Sequence, residues 1–171
     1  MVRETTHKSI EALCISILKD ELTSKQHIEN SLVTCIINLI QSERDQEMDH
    51  RNYLKELVRM TIDLDLYKNN LEPAFLETTR AFYQEKSNEI VGRVVLAEYL
   101  RYAEDKIKEE CARMQYYMHP STAKPGLEVL QTVIVLDNAG ELIGNGFRDL
   151  CDQERCTDLA RMYRLYVNIG Q

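Results

Sequence analysis

The chain has 171 residues, 21 Lys and Arg against 28 Asp and Glu, and a formal net charge of −7. That balance excludes general nucleic-acid binding, which needs concentrated Lys and Arg to neutralise phosphates. At 44% apolar and 29% charged residues, with six glycines and three prolines, the composition suits a helical protein with few interruptions and argues against a many-stranded sheet.

Taken in chain order, the first eight residues lack the apolar stretch and cleavage pattern of a secretory signal. A first helix is predicted over about residues 7–22, with Ile10, Leu13, Cys14, Ile17 and Leu18 on one face. The apolar run at 10–18 is broken by Glu11 and Ser16 and is far shorter than the ~20 residues of a bilayer span. Residence in the cytoplasm or nucleus is therefore expected. Thr23 and Ser24 offer a hydroxyl cap to a second helix over about 25–43, which runs through Ile28, Leu32, Cys35, Ile36, Leu39 and Ile40. After the polar junction Arg44-Asp45, a third helix shows Leu54, Leu57, Val58, Thr61 and Ile62. Amphipathic helices this closely spaced must pack on one another.

The stretch 71–117 reads as two long helices. Pro73 suits a first turn, where its missing N–H is lost to the helix anyway. Phe75, Leu76, Thr79, Phe82, Tyr83 and Ile90 mark the first apolar stripe. Leu96, Leu100, Ala103, Ile107, Cys111, Met114 and Met118 mark the second, in steps of three and four residues. The segment 129–147 has two readings. Thr132 to Leu136 followed by Asp137-Asn138-Ala139-Gly140 reads by itself as a strand entering a turn. Read as helix, it is weakened at Gly140, Gly144 and Gly146 by about 1 kcal/mol each relative to alanine, so a frayed, kinked or short element is expected. Leu159, Met162, Tyr163, Tyr166 and Ile169 then resume a clear helical pattern.

No residue is predicted to be catalytic, cofactor-binding or metal-ligating, and the chain is read as not an enzyme. GxSxG and HExxH are absent, and Gly144-Asn145-Gly146 lacks the lysine of a phosphate loop. His7, His27, His50 and His119 are scattered, with none at i, i+4 from another. His119 is read as a polar residue at a helix C-terminus, where a cation favours the dipole. Cys14, Cys35, Cys111, Cys151 and Cys156 include no CxxC pair; the first three lie on apolar stripes and are expected to behave as small hydrophobes. Glu104-Asp105 and Glu109-Glu110 are placed on a solvated face, with Glu104 and Lys108 as an i, i+4 pair. Tyr83, Tyr99, Tyr163 and Tyr166 are assigned to core packing with the hydroxyl at the edge.

Several of these residues also carry a family resemblance. Phe75-Leu76, Thr79 and Phe82-Tyr83 form one landmark. Glu98-Tyr99-Leu100, Ala103-Glu104, Lys108-Glu109-Glu110, Arg113 and Tyr117, closed by His119-Pro120-Ser121-Thr122, form a second. Asp158-Leu159-Ala160-Arg161-Met162-Tyr163-Arg164-Leu165 forms a third. Together with Leu39-Ile40, Glu43-Arg44 and Met48-Asp49, they resemble the N-terminal repeats of the cullin family, closest to the SCF-type cullins. Asp45-Gln46 departs from the glycine often found near that turn.

The resemblance implies an all-α antiparallel helix bundle of the cullin-repeat type, part of an elongated stalk. Residues 1–66 would be helices joining a preceding repeat, and 67–171 a cullin-repeat-like bundle. It implies a non-catalytic scaffold segment of a cullin-RING (SCF-type) ubiquitin ligase, serving ubiquitin-dependent protein catabolism through stiffness alone. As that family is organised, the adaptor-contacting helices precede the part matched from His7 onward, and the RING-binding domain lies beyond Gln171. A truncated cullin-like chain is expected, and no adaptor, RING or modification residue is carried over. The expected partners are proteins engaged through helix faces, ubiquitin ligase subunits among them, with no cofactor, nucleic acid or membrane. Uncovered apolar stacking faces are expected near 10–18 and 159–169. The alternative is a stand-alone helical interaction module or decoy with no role in ubiquitin transfer.

Overall fold

In the computed structural model, which describes residues 10–23, 26–45 and 51–167, the three-and-four spacing of apolar residues becomes helix throughout, with no strand among the described residues. The chain divides into two units, Met1–Ala74 and Phe75–Gln171.

In the first unit, α1 (Ile10–Thr23), α2 (Gln26–Arg44) and α3 (Arg51–Asp63) are followed by a single π-helical turn, Tyr67–Leu71. The core of α2 is rotated by about one position from the expected stripe. Val33, Ile36, Ile37 and Ile40 are buried, while Ile28, Leu32 and Leu39 are half-buried and Cys35 is exposed. Glu43 and Arg44 are buried with them, and Arg51 Nε donates to Glu43 Oε1 at 2.8 Å. α3 answers with Leu54, Val58 and Thr61, and the Thr61 hydroxyl donates to the Val58 carbonyl at 2.7 Å. Leu57 is half-buried and Ile62 exposed. The start of the first predicted helix at 7–9, the caps at Thr23 and Ser24, and Met48-Asp49 lie outside the described residues or side chains.

α3 stops without a glycine. Asp65 takes φ +58°, its N–H donates to the Ile62 carbonyl at 3.0 Å, and the N–H of Leu66 reaches back to Thr61 at 2.8 Å. This 6→1 and 5→2 pair satisfies two terminal carbonyls, a Schellman ending, and buries Leu66. Lys19 of α1 pairs with the Asp65 carboxylate.

The second unit contains most of α4 (Glu72–Ile90), then α5 (Leu96–Tyr117), a 3₁₀ turn (Pro120–Thr122), α6 (Ala123–Leu130), a π-helical segment (Gln131–Leu136), α7 (Ala139–Asp152) and α8 (Cys156–Val167). α5 packs against α6, α7 and α8. The buried face of α4 is Phe75, Thr79, Tyr83 and Ser87; that of α5 includes Leu96, Leu100, Ala103 and Met114, continued by Met118 just past its end, as the spacing predicts, with Ile107 and Cys111 half-buried. Each fully buried Leu or Phe contributes roughly 1.5–3 kcal/mol relative to exposure.

The segment with two readings is helical, so the strand reading of 132–136 is overturned. Val133, Ile134 and Val135 are all buried, which a continuous apolar run permits in a buried helix as well as in a strand. The expected irregularity takes the form of i→i−5 bonding, seen in the Asp137 N–H to the Thr132 carbonyl at 2.9 Å. The carbonyls this leaves are taken up locally: Asn138 Nδ2 donates to Val133 O at 2.9 Å and the Tyr99 hydroxyl donates to Ile134 O at 2.8 Å. α7 ends in a second Schellman turn on Glu154 at φ +52°, with Arg155 N–H to Leu150 O at 2.9 Å.

Candidate interaction surfaces

Two charged groups are structural, one of which, Glu110, the sequence places on a solvated face. Glu110 is fully buried; its Oε2 accepts from the Tyr83 hydroxyl at 2.9 Å and from Arg113 Nη1 at 3.1 Å, so the solvated-face assignment is corrected. An ion taken from water is stable only where partners and hydrogen bonds replace hydration, and α4 and α5 supply both. Glu109 does remain exposed, paired with Lys106 at 2.7 Å.

Asp158 was read only as part of a signature, yet it organises the start of α8. Its side chain is 2% exposed; Arg155 Nη2 reaches Oδ2 at 2.8 Å, Arg161 Nη1 reaches Oδ1 at 2.7 Å, and Arg101 Nη2 of α5 stands at 3.8 Å. The i, i+3 spacing of Arg155, Asp158 and Arg161 is the signal that could have found it. Arg161 continues the chain of charge, with Nε donating to Glu104 Oε2 of α5 at 2.7 Å. That hydrogen bond holds the Glu104 carboxyl below its ordinary range and raises Arg161 in turn. The other Glu104 oxygen faces Arg164 at 3.4 Å and Lys108 at 3.6 Å. The expected Glu104–Lys108 pair is therefore present, within a larger cluster joining α5 to α8.

Beside that cluster lies a groove of about 400 Å³ between α5, α6 and α8. Half-buried Ile107, Leu127 and Leu165 form its apolar lining, and exposed Lys108 and Arg164 stand at its rim. A second concavity, about 460 Å³, lies where the 91–97 segment meets α7 and the turn after it, lined by Val95, Leu142, Asp149 and Arg155 among others. Gly92 turns the chain there at φ +77°, and a Cβ on it would come within 2.6 Å of Glu141 Oε1.

Apolar side chains are also left in solvent. On α1, Ile10 is 83% exposed, and Leu13, Ile17 and Leu18 are about half exposed. On α8, Tyr163 is 68% exposed and Val167 41%, while Met162 is buried and Leu159 half-buried. Uncovered faces thus occur in both segments where they were expected; Ile169 lies outside the described residues. Tyr163 is accordingly not a core tyrosine. Tyr83 and Tyr99 are, with their hydroxyls bonded inside the protein, and Tyr166 is half-buried.

The remaining candidates settle simply. His119 follows the end of α5, and its Nδ1 accepts from the Ser121 N–H at 3.2 Å, capping the 3₁₀ turn. His27 is exposed, while His7 and His50 lie outside the described residues. Cys14 and Cys35 are exposed and Cys111 half-buried, so the hydrophobe reading fails for the first two; α2 turns Val33, Ile36, Ile37 and Ile40 inward and leaves Cys35 in solvent. Among the described residues no group of His, Cys, Asp and Glu could hold a metal ion, and no helix is long and apolar enough to cross a membrane.

Comparison with known proteins places this arrangement. Residues 1–171 match the family model described as the cullin alpha solenoid domain. The chain is 27% identical to human Cullin-4A over 169 residues, covering 99% of this chain and 22% of that protein. It is 29% identical to Cullin-1 of Schizosaccharomyces pombe over 174 residues, 95% of this chain and 22% of that one. Against Cullin-4 of Dictyostelium discoideum it is 25% identical over 166 residues, 97% of this chain and 21% of the relative. The chain therefore spans about a fifth of the length of the relatives it matches.

Proposed function

Since this chain belongs to the cullin family, with its whole length matched by the cullin alpha solenoid domain, we propose that it is a non-catalytic scaffold segment of a cullin-RING ubiquitin ligase of the SCF type. The match over residues 1–171 is the observation that carries the reading. The buried hydrogen bond from Tyr83 of α4 to Glu110 of α5 and the part-buried ion pair of Arg161 in α8 with Glu104 in α5 support it, because a segment that holds a distance must resist bending where its helices meet, and partnered polar groups have few alternative arrangements. The exposed apolar faces of α1 and α8 are surfaces on which further helices of a stacked solenoid would pack. Partners are proteins met through helix faces; no step of bond making is assigned to any residue.

The second reading is a stand-alone helical interaction module, or a decoy, with no role in ubiquitin transfer. The same exposed faces serve it equally well. Affinity purification of the tagged chain followed by mass spectrometry separates the two. Recovery of adaptor and RING subunits is the expected result for ligase membership. Their absence beside other stable partners moves the protein to the second reading.

A further inference from the structure

The groove between α5, α6 and α8 combines features that the scaffold role does not use. Its lining is apolar but incompletely buried: Ile107, Leu127 and Leu165 each keep part of their surface in solvent. Its volume of about 400 Å³ lies within the range of small recognition pockets and suits one or two bulky side chains.

The rim is cationic, in a chain whose net charge is −7. Lys108 and Arg164 share a single oxygen of Glu104 at 3.6 and 3.4 Å, beyond the length of a strong charge-assisted bond. The other oxygen of Glu104 is already committed to Arg161 at 2.7 Å. Two cations thus face one long-range carboxylate oxygen, and both are mostly exposed, at 69% and 54% of their side-chain surface. An incoming carboxylate would find donors that need not give up a good bond to receive it.

We propose that this groove binds an acidic-apolar peptide segment of a partner protein, seating a Leu-, Ile- or Phe-type side chain on Ile107, Leu127 and Leu165 and a neighbouring carboxylate between Lys108 and Arg164. The apolar contact supplies the affinity, and the paired cations set the register and reject basic segments. This site is independent of ligase membership, since it rests on residues within one unit and names no ligase subunit.

The test is selection of a random nonapeptide display library on the whole chain, with counter-selection on the Lys108→Glu/Arg164→Glu variant. Both positions are exposed, and circular dichroism verifies that the variant is folded. The expected consensus places Asp or Glu beside a bulky apolar residue. A synthetic peptide of that consensus should bind the variant at least about tenfold more weakly than the parent by fluorescence anisotropy, as befits loss of charge-assisted bonds. It should weaken likewise when its acid is changed to the amide. No enrichment, a consensus without acids, or equal binding to parent and variant overturns the proposal. So does a dimer in sedimentation that the same variant dissolves, which would make a second copy the occupant. Binding that appears only after deletion of residues 168–171 would make the chain's own end the occupant and overturn it as well.

Discussion

Tyr83 and Glu110 stand 27 residues apart in sequence and meet in the interior, the phenol donating to the carboxylate at 2.9 Å. With Arg113 on the other side of the same oxygen, this contact pins α4 to the middle of α5. Glu110→Ala removes the carboxylate from a buried pair and should cost about 3–5 kcal/mol. Tyr83→Phe removes one neutral donor to a charged acceptor and should cost about 1.5–3 kcal/mol. Urea unfolding checks both, and equal small losses for the two would contradict the structural role given to Glu110.

The glycines of α7 should respond to alanine in opposite directions. A Cβ at Gly146 would lie 2.6 Å from the Leu96 Cβ, so Gly146→Ala forces α7 away from α5, an overpacking cost of about 1–3 kcal/mol. Gly140 has nothing within 4 Å of a Cβ, and Gly140→Ala should gain up to about 1 kcal/mol of helix propensity. The readout is the denaturant midpoint of each variant against the parent.

Acid should loosen the α5–α8 contact. The hydrogen bond from Arg161 lowers the Glu104 carboxyl from its ordinary value. The unfolded chain then rebinds its proton at a higher pH than the folded one does, so the pair stabilises the fold above about pH 4.3 and that stability is lost as pH falls through the folded value. Glu104→Gln should lower the melting temperature at neutral pH and flatten its decline below about pH 4.3. Parallel acid profiles for the two proteins would refute this.

Alkali acts through a different residue. Burial pushes the Tyr102 hydroxyl up to about 12, with nearby Tyr99, 5.9 Å away between ring centroids, adding to the shift. An unfolded phenol ionises near 10, so this stabilising contribution is complete below about pH 10 and disappears between about 10 and 12. Burial raises Tyr99 and Tyr166 as well, so spectroscopic titration of phenolate absorbance should show a late-ionising component that Tyr102→Phe diminishes. A single step near 10 for every tyrosine would count against it.

The helices themselves were readable because spacing at three and four residues reports which side of a helix meets apolar neighbours, whatever those neighbours are. Phe75, Thr79, Tyr83, Leu100 and Ala103 needed no further information. The rotated stripe of α2 was not readable, since Leu32 and Val33 are equally apolar, as are Ile37 and Leu39, and only packing against α1, α3 and the π-helical turn decides that Val33 and Ile37 turn inward. The endings at Asp65 and Glu154 carried no glycine to announce them; they are held in the left-handed region by the carbonyls behind them.

The sequence by itself determined the helical class, the family and the absence of any recognisable catalytic motif, because local periodicity and ordered landmarks are properties of the chain. Only the tertiary structure decided which charges are internal. Glu110 and Glu109 are adjacent in sequence and chemically alike, yet one is sealed against Tyr83 and Arg113 and the other lies in water beside Lys106. Burial of a charge depends on partners brought from far along the chain, and so does the cationic rim that Lys108 and Arg164 form across two helices.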